Sequence, residues 1–239
     1  AVSAAHGILF LPFAVPPVHN PQLMQTTPIR YAVPDMPPPP AGHLHVIRGC
    51  MFAGKTEALI DHVQSTPAVR IGVFKHRADN RYHNSNVVSH RRRSCPAIPV
   101  AGAEELFGLV GENAEFIAID EGHFFDDGFP AMCQRLIALG TSVLVAALDS
   151  DSRRRQPFPM IARLCELADE VTSKSAICAR CGQRATFTQR LTPIIDGRIV
   201  GAAESFEPRC SRCWTPPPVP YDQTTRFASK TGPCAQHNS

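Results

Sequence analysis

The chain has 239 residues, and its 24 Lys and Arg residues against 21 Asp and Glu residues give a formal net charge of +3. This charge is too small to indicate nucleic-acid binding by itself, and the length allows one domain of ordinary size with at most a small addition. The sequence has no run of about 18 apolar residues, so no transmembrane helix is predicted.

Prolines are concentrated at the two ends of the chain. Of 23 prolines, ten lie in residues 1–43 and five follow residue 213. We therefore predict a Pro-rich disordered N-terminal tail, residues 1–43, and a disordered C-terminal tail, residues 216–239. The N-terminal tail lacks the basic region of a secretory signal, and Arg30 is its only arginine, whereas transit peptides are Arg-rich. A tail without a targeting role is the favoured interpretation, and organelle targeting is the alternative.

Between these tails, short apolar runs alternate with segments of helical periodicity. The predicted strands are Leu44–Ile47, Val69–Phe74, Phe116–Ile119 and Ser142–Leu148. The predicted helices are Thr56–Gln64, Ala103–Val110, Ala131–Leu139 and Met160–Leu167. Apolar strands that alternate with amphipathic helices are typical of an α/β fold, in which helices cover both faces of a parallel sheet. We assign this domain to residues 44–173.

A phosphate-binding motif follows the first predicted strand. It lies between a strand and a helix and matches the pattern GxxxxGK[ST] with the residues Gly49, Cys50, Met51, Phe52, Ala53, Gly54, Lys55 and Thr56. Its glycines let backbone N–H groups surround phosphates, and the helix adds the positive end of its dipole. We expect Lys55 to reach the β- and γ-phosphates of ATP, and Thr56 to offer its hydroxyl to Mg²⁺. The predicted fold class is therefore a P-loop NTPase of the RecA-like type.

Two acidic residues end the third predicted strand. Asp120 and Glu121 follow four apolar residues, at the carboxyl end of the strand, where open α/β sheets bind ligands. We expect Asp120 to hold Mg²⁺ through water and Glu121 to accept a proton from an attacking hydroxyl. Two solvated carboxylates without a catalytic role are the alternative.

Four of the nine cysteines form two CxxC pairs, Cys178/Cys181 and Cys210/Cys213, with 28 residues between the pairs. Four thiolates complete a tetrahedral Zn²⁺ site without an open position, so the predicted zinc is structural. Two disulfides, a redox-active CxxC and a zinc ribbon that binds nucleic acid are the alternatives. The scattered remaining cysteines favour a reducing compartment, and the intervening loop lacks a series of aromatic residues for base stacking. We assign a small zinc-binding domain to residues 174–215.

In this order, these motifs resemble those of the cellular-type (type II) thymidine kinase family, over roughly residues 44–213. The segments that carry the resemblance are the phosphate loop with Met51-Phe52 inside it, Asp79-Asn80-Arg81-Tyr82, Asp120-Glu121-Gly122-His123-Phe124-Phe125, Ala147-Leu148-Asp149, Pro157-Phe158, Cys178-Ala179-Arg180-Cys181-Gly182, Ala185-Thr186-Phe187-Thr188-Gln189-Arg190 and the stretch from Gly201 to Cys210.

The resemblance implies phosphorylation of thymidine, and often of deoxyuridine, at the 5′-hydroxyl with Mg-ATP, which supplies dTMP for DNA synthesis by salvage. It implies that Glu121 is the general base and that Asp79 and Arg81 lie near the metal and the transferring phosphate. Lys55, Arg81 and Arg153 would supply positive charge together with Mg²⁺. The expected assembly is a cytoplasmic homotetramer that is feedback-inhibited by the triphosphate product.

The loop between the cysteine pairs resembles the family's lasso, which closes over the nucleoside. By this resemblance, the thymine is held largely by backbone groups around three consecutive lasso residues, while further side chains line the pocket. The nucleoside-binding residues implied in this way are Met51, Phe125, Ile199, Val200, Gly201 and Phe206.

The chain departs from the family pattern at several positions. Ser152 stands where the family usually has Phe, and His123 replaces a common glutamine. The arginine run beginning at Arg153 is one residue longer than usual, so Arg154 is the alternative phosphate contact. Phe206 replaces the usual Tyr, which predicts weaker nucleoside binding or broader selectivity, because a lost hydrogen bond costs about 0.5–1.5 kcal/mol.

Two other functions remain open from the sequence. The first is a kinase of another deoxynucleoside, reached through the changes at Ser152 and Phe206. The second is a non-catalytic P-loop protein with a zinc ribbon that binds nucleic acid. The mild charge and the lack of stacking aromatic residues disfavour the second, so the expected partners are ATP and thymidine, without nucleic acid or membrane.

Overall fold

The computed structural model of the protein describes residues 41–68, 70–79, 85–89, 92–110, 114–153, 155–192 and 203–216. The chain separates into two units, Ala1–Pro38 and Pro39–Ser239, and every described residue belongs to the second. Both predicted tails lie outside the described residues except at their inner ends, so the tails and the domain boundaries stay predictions. Within the described ranges, every helix is too short or too polar to cross a membrane.

The first half of the described chain forms the following elements in order: β1 (Leu44–Gly49), α1 (Lys55–Ser65), β2 (Ile71–His76), β3 (Asn86–Val88), β4 (Ser94–Pro96), β5 (Ile98–Val100), α2 (Ala103–Val110) and β6 (Phe116–Asp120). The second half forms a 3₁₀ helix (Gly122–Phe124), α3 (Phe129–Ala138), β7 (Ser142–Ala147), α4 (Pro159–Leu167), β8 (Glu170–Lys174), β9 (Ala176–Ile177), β10 (Arg184–Ala185), β11 (Phe187–Arg190), a second 3₁₀ helix (Ala203–Ser205) and β12 (Phe206–Arg209).

A six-stranded sheet with the order β5-β2-β6-β7-β1-β8 forms the centre of the fold. Every pair of neighbouring strands in it is parallel. The predicted α/β fold with a parallel sheet is therefore confirmed. Three two-stranded antiparallel sheets, β3-β4, β9-β10 and β11-β12, complete the described structure.

Both faces of the central sheet are buried, as the continuous apolar strands predicted. Helix α1 packs against one face through Leu59 and Ile60, which join a cluster that includes Ala118 of β6 and Leu144 of β7. Helices α2, α3 and α4 cover the other face, and their buried residues there are Ala103, Leu106, Phe129, Met132, Cys133, Leu136, Met160, Ile161 and Leu164. Successive residues of β6 and β7 alternate between the two clusters, which is the two-residue period of a strand.

Two elements begin two residues away from their predicted first residues. The second strand begins at Ile71 and extends to His76, two residues later than predicted, because Lys75 is buried in the sheet although lysine is normally exposed. Helix α3 begins at Phe129 rather than Ala131, and it contains Pro130 in its first turn, where the missing N–H group costs no helical hydrogen bond.

Strand β8 was missed by the sequence analysis. Its sequence, Glu-Val-Thr-Ser-Lys, has no apolar run, because it is an edge strand whose residues are exposed or half-buried. It pairs with β1 in a parallel register that places Lys174 beside Gly49. This strand therefore connects the central sheet to the segment that carries the cysteines.

Candidate active site

A cavity of about 740 Å³ lies beside the phosphate loop. Its lining comes from the loop and the start of α1, from Glu121 and Leu148, which directly follow β6 and β7, and from the segment between β8 and β10. The lining residues, among those described, are Met51, Phe52, Ala53, Gly54, Lys55, Thr56, Glu57, Ala58, Asp61, Ser89, Glu121, Leu148, Lys174, Ser175, Ala176, Ile177 and Arg184. The cavity thus brings together the predicted phosphate loop and the predicted catalytic carboxylate.

The phosphate loop has the backbone that its glycines predict. Gly49 has a φ of 153°, and a Cβ atom at this position would collide with the carbonyl oxygen of Lys174 on β8. Gly54 has a φ of 75° and precedes the first residue of α1. Phe52 also has a positive φ, of 65°, although it is not a glycine. A left-handed residue within a loop turns its N–H groups, and such turns form concave anion-binding sites.

Lys55 is held at the start of α1. Its Nζ atom donates a hydrogen bond to the carbonyl oxygen of Cys50, 2.8 Å away. Burial lowers the pKa of Lys55, and the negative charge of Glu121 is the strongest of the neighbouring charges that oppose this shift. Lys55 and Glu121 both line the cavity, and the charge of Glu121 favours the protonated form of Lys55.

Asp120 and Thr56 are in direct contact. The Thr56 hydroxyl donates a hydrogen bond of 3.0 Å to Oδ2 of Asp120. Burial, and then the negative charge of Glu121, raise the pKa of Asp120 to about 7, while the hydrogen bond from Thr56 acts in the opposite direction. Hydroxyl and carboxylate oxygens are the ligands that Mg²⁺ prefers, so this pair fits the magnesium site that the sequence predicted.

Glu121 lies directly after β6 in a left-handed conformation, with φ 55° and ψ 39°. The side chain of the preceding residue, Asp120, bonds to α1, whereas Glu121 lines the cavity. The Glu121 side chain is 14% exposed, and its Oε2 atom is 3.5 Å from Nδ1 of His123. A partly shielded carboxylate in a cavity with a lysine can accept a proton from a bound hydroxyl group.

Part of the predicted nucleoside pocket adjoins the phosphate loop. The backbone N–H of Met51 donates a 3.0 Å hydrogen bond to Oγ1 of Thr188 on β11. Strand β11 pairs with β12, where the buried Phe206 lies 5.3 Å from the guanidinium of Arg190. Phe125 is buried against Phe129, with ring centroids 4.3 Å apart. Phe125 and Phe206 are not among the described residues that line the cavity.

Some predicted site residues do not line the cavity, and others lie outside the described part of the chain. Asp79 forms an ion pair of 3.6 Å with Lys75, whose side chain is 2% exposed. The backbone N–H of Arg153 donates a hydrogen bond to Oδ1 of Asp151. Burial lowers the pKa of Arg190, and the positive charge of Arg153 lowers it further. Neither Asp79 nor Arg153 lines the described cavity. The predicted residues that lie outside the described ranges are Arg81, Arg154, Ile199, Val200 and Gly201.

The sequence analysis missed Thr188 as a contact of the phosphate loop. Its hydroxyl accepts from Met51, and its carbonyl oxygen accepts from Nε1 of Trp214, 3.1 Å away. Cys50 makes a second link, because its Sγ donates to the carbonyl oxygen of Ala185 at 3.5 Å. The contacts of Met51 with Thr188 and of Cys50 with Ala185 join residues 137 and 135 positions apart, and a buried threonine in a short strand gives no local signal of such a role.

The four predicted metal ligands do converge. The Sγ atoms of Cys178, Cys181, Cys210 and Cys213 lie within 4.8 Å of one another. All described cysteines are free thiols in this structure, and the two disulfides considered as an alternative are not formed in it. Burial raises the pKa of Cys178, but hydrogen bonds from the backbone, first that of Cys210, outweigh burial and lower this pKa to about 6. The cluster could therefore hold a metal ion.

His76, the last residue of β2, contacts Ala78, Ala101 and the ring of Phe125. One ring nitrogen, Nε2, is 2.9 Å from the carbonyl oxygen of Ala101, and the other, Nδ1, accepts a 3.1 Å hydrogen bond from the N–H of Ala78. The ring packs edge-on against Phe125, with centroids 5.0 Å apart. This pattern requires a neutral imidazole with its proton on Nε2. Burial, which is the largest influence, lowers the pKa of His76.

We expect the protein to lose stability as the pH falls below about 6.5, the ordinary pKa of histidine, because the unfolded chain then binds a proton that the folded His76 resists. The contribution is fully present above that pH and is lost as the pH falls towards the lowered pKa. Urea unfolding near pH 7.5 and pH 5.5 should show a smaller loss for His76→Gln than for the unchanged protein. Equal losses would contradict the assignment, provided that the metal content is the same at both pH values.

Comparison with known proteins places the chain among relatives of similar sequence. Residues 42–214 match the family model described as thymidine kinase. A protein from Rhodothermus sp. (strain ITI 518), named thymidine kinase, is 42% identical over 179 residues, which cover 74% of this chain and 83% of the relative. The matched range includes the phosphate loop, Glu121 and all four clustered cysteines.

Proposed function

The chain belongs to the thymidine kinase family and phosphorylates thymidine, and we propose that it transfers the γ-phosphate of ATP to the 5′-hydroxyl with Glu121 as the general base. The observation that carries this mechanism is the shared cavity, in which Lys55 and Thr56 of the phosphate loop and Glu121 line the same space. Phosphoryl transfer needs positioning and charge neutralisation more than covalent chemistry, and these residues supply both.

The phosphate loop would bind the triphosphate of ATP. The loop from Met51 to Gly54 and the first residues of α1 line the cavity, and the N–H groups at a helix N-terminus favour negative charge. Lys55 would move its donor from the carbonyl oxygen of Cys50 to the β- and γ-phosphates. Thr56 and Asp120 would hold Mg²⁺, which neutralises part of the phosphate charge when bound. Asp79, Arg81 and Arg153 are proposed neighbours of the transferring phosphate.

Glu121 would act on the acceptor. Its carboxylate accepts the proton of the 5′-hydroxyl as the sugar oxygen bonds to the γ-phosphorus and the bond to the β-phosphate oxygen breaks. Lys55 lines the same cavity, and its positive charge would stabilise charge on the phosphates. The proton remains on a Glu121 oxygen until the product leaves.

We propose that the nucleoside lies between the phosphate loop and the segment between the two cysteine pairs. Met51 is the described residue that supports this best, because it lines the cavity and its N–H bonds to β11. Phe125 and Phe206 would contribute apolar surface farther from the phosphates. Backbone groups around Ile199, Val200 and Gly201 would hold the base.

Zinc is the proposed occupant of the cysteine cluster. Four thiols with mutual distances under 4.8 Å match a closed tetrahedral site, and zinc is the usual ion for four cysteines. Its role would be to hold the base of the lasso against the phosphate loop. Deoxyuridine as a second substrate, a supply of dTMP for DNA synthesis, a cytoplasmic location and a homotetrameric assembly are further proposals that follow from family membership.

The function is tested by assaying the purified protein with Mg-ATP against thymidine, deoxyuridine, deoxycytidine and purine deoxynucleosides. We expect the highest kcat/KM for thymidine, measurable turnover of deoxyuridine and no phosphorylation of 5′-deoxythymidine, which lacks the acceptor hydroxyl. Lys55→Ala, prepared in parallel, controls for contaminating kinases, because loss of the phosphate-binding cation should abolish turnover. A higher kcat/KM for another nucleoside would overturn the assignment of thymidine as the preferred substrate.

A further inference from the structure

His123 is packed so that one of its ring nitrogens faces the catalytic carboxylate. Its side chain is 5% exposed, and its ring lies 4.3 Å from that of Phe124 and 5.3 Å from that of Phe158, centroid to centroid. The preceding Gly122 is buried against β7, and a Cβ atom there would be 2.6 Å from Cγ1 of Val145. The turn that carries His123 is therefore seated firmly on the sheet.

Two groups compete for Nδ1 of His123. The backbone N–H of Leu148 is 3.4 Å from it, and Oε2 of Glu121 is 3.5 Å from it. The first contact needs a lone pair on Nδ1, whereas the second needs a proton there. Both distances exceed those of well-formed hydrogen bonds, so a small rotation of the ring shortens one contact at the expense of the other.

The charges around Glu121 make such a contact important. Lys55 attracts its carboxylate, and Asp120 repels it. Because one neighbouring charge attracts this carboxylate and another repels it, a hydrogen-bond donor such as His123 would help to fix its direction.

We propose that His123 is the positioning residue of the catalytic base, and that its Nδ1–H group donates to Oε2 of Glu121 and aims the carboxylate at the 5′-hydroxyl. This inference rests on the proposed role of Glu121. The contact is long in the absence of substrate and shortens when the nucleoside is bound, as catalytic hydrogen bonds commonly do. His123 itself neither touches the substrate nor takes its proton.

A size-matched pair of variants separates the hydrogen bond from packing. His123→Leu removes the donor, and we expect kcat to fall about 10- to 100-fold with KM for thymidine and for ATP within threefold, because misplacement by about 1 Å costs roughly 100-fold. His123→Gln provides an amide donor, and it should restore kcat to within about threefold of the unchanged protein. Unchanged kcat in His123→Leu, or a loss confined to KM, would overturn the proposal.

A double-mutant cycle tests whether His123 acts through Glu121. In the Glu121→Gln background, adding His123→Leu should have almost no further effect on the residual kcat, because the carboxylate that it positions is absent. An undiminished effect in that background would assign His123 to packing and overturn the proposal. Full activity of Glu121→Gln alone would instead reject the proposed base, so the two failures are distinguishable.

If His123→Leu does not fold, a spectroscopic measurement can test the contact between His123 and Glu121 instead. Protein labelled with ¹⁵N at histidine is compared with its Glu121→Gln form in the presence of thymidine, and the His123 signal is assigned by its loss in His123→Gln. We expect the Nδ1 shift of His123 to change when Glu121 loses its charge. An unaltered shift would overturn the proposal.

Discussion

Glu121→Gln should lower kcat for thymidine by about 100- to 10,000-fold, the range expected for removing a general base. Glutamine has the same size as glutamate and fits the same left-handed backbone, but its amide does not accept the hydroxyl proton. The variant should still bind ATP with nearly unchanged affinity, because the substitution leaves unchanged Lys55, Thr56 and Asp120, which are proposed to bind the phosphates and Mg²⁺. Steady-state kinetics and a nucleotide-binding titration on the same preparation measure both effects.

Asp127→Asn is a suitable control for the Glu121 experiment. Asp127 is an exposed acid in the turn before α3, so this substitution also removes one negative charge from the surface near the same strand end. We expect its kcat to equal that of the unchanged protein. If Glu121→Gln retained full turnover, or if both variants lost activity equally, Glu121 would not be the base.

Cys178→Ser should cause the second large effect, through loss of the metal. Structural zinc contributes roughly 10–16 kcal/mol to the folding of zinc-finger peptides, and three thiolates bind it much less tightly than four. Since Cys50 and Met51 contact Ala185 and Thr188 close to the cluster, loss of the ion should disturb the phosphate loop as well. We expect kcat/KM to fall at least about tenfold, and the melting temperature to fall by about 5 °C or more, equivalent to roughly 2 kcal/mol for a chain of this size.

Elemental analysis completes the test of the metal site. The unchanged protein should contain about one zinc ion per chain, and Cys178→Ser much less. Cys95→Ser is the matched control, because Cys95 is half-buried and lies on β4, outside the cluster. Freshly purified protein without zinc, or a Cys178→Ser variant as stable and active as the Cys95→Ser control, would refute the proposal.

The elements that the sequence predicted are those specified by local patterns. The parallel sheet follows from apolar runs such as Phe116–Ile119, and the phosphate loop from the fixed positions of Gly49, Gly54 and Lys55. The convergence of the four cysteines follows from their pairwise spacing. Each apolar run, each CxxC pair and the phosphate loop is a signal of a few residues, so tertiary contacts did not have to be known.

The missed features depend on contacts between distant residues. Strand β8 is held by its pairing with β1 at the sheet edge, because its own sequence has no apolar run. The ion pair of the buried Lys75 with Asp79 was not predicted, since lysine normally indicates exposure. Thr188 became part of the site only through a hydrogen bond from Met51, 137 residues away. Such partners are determined by the folded arrangement, which local pattern does not encode.

Because Glu121 has a left-handed backbone, selection for thermal stability and selection for catalytic activity favour different residues at this position. A non-glycine residue in that conformation costs about 1–2 kcal/mol, which glycine would avoid. Glycine would also remove the carboxylate that lines the cavity. In a directed-evolution library screened only for heat resistance, this position would therefore drift towards inactive clones, and each round would need a growth or turnover screen to retain the enzyme.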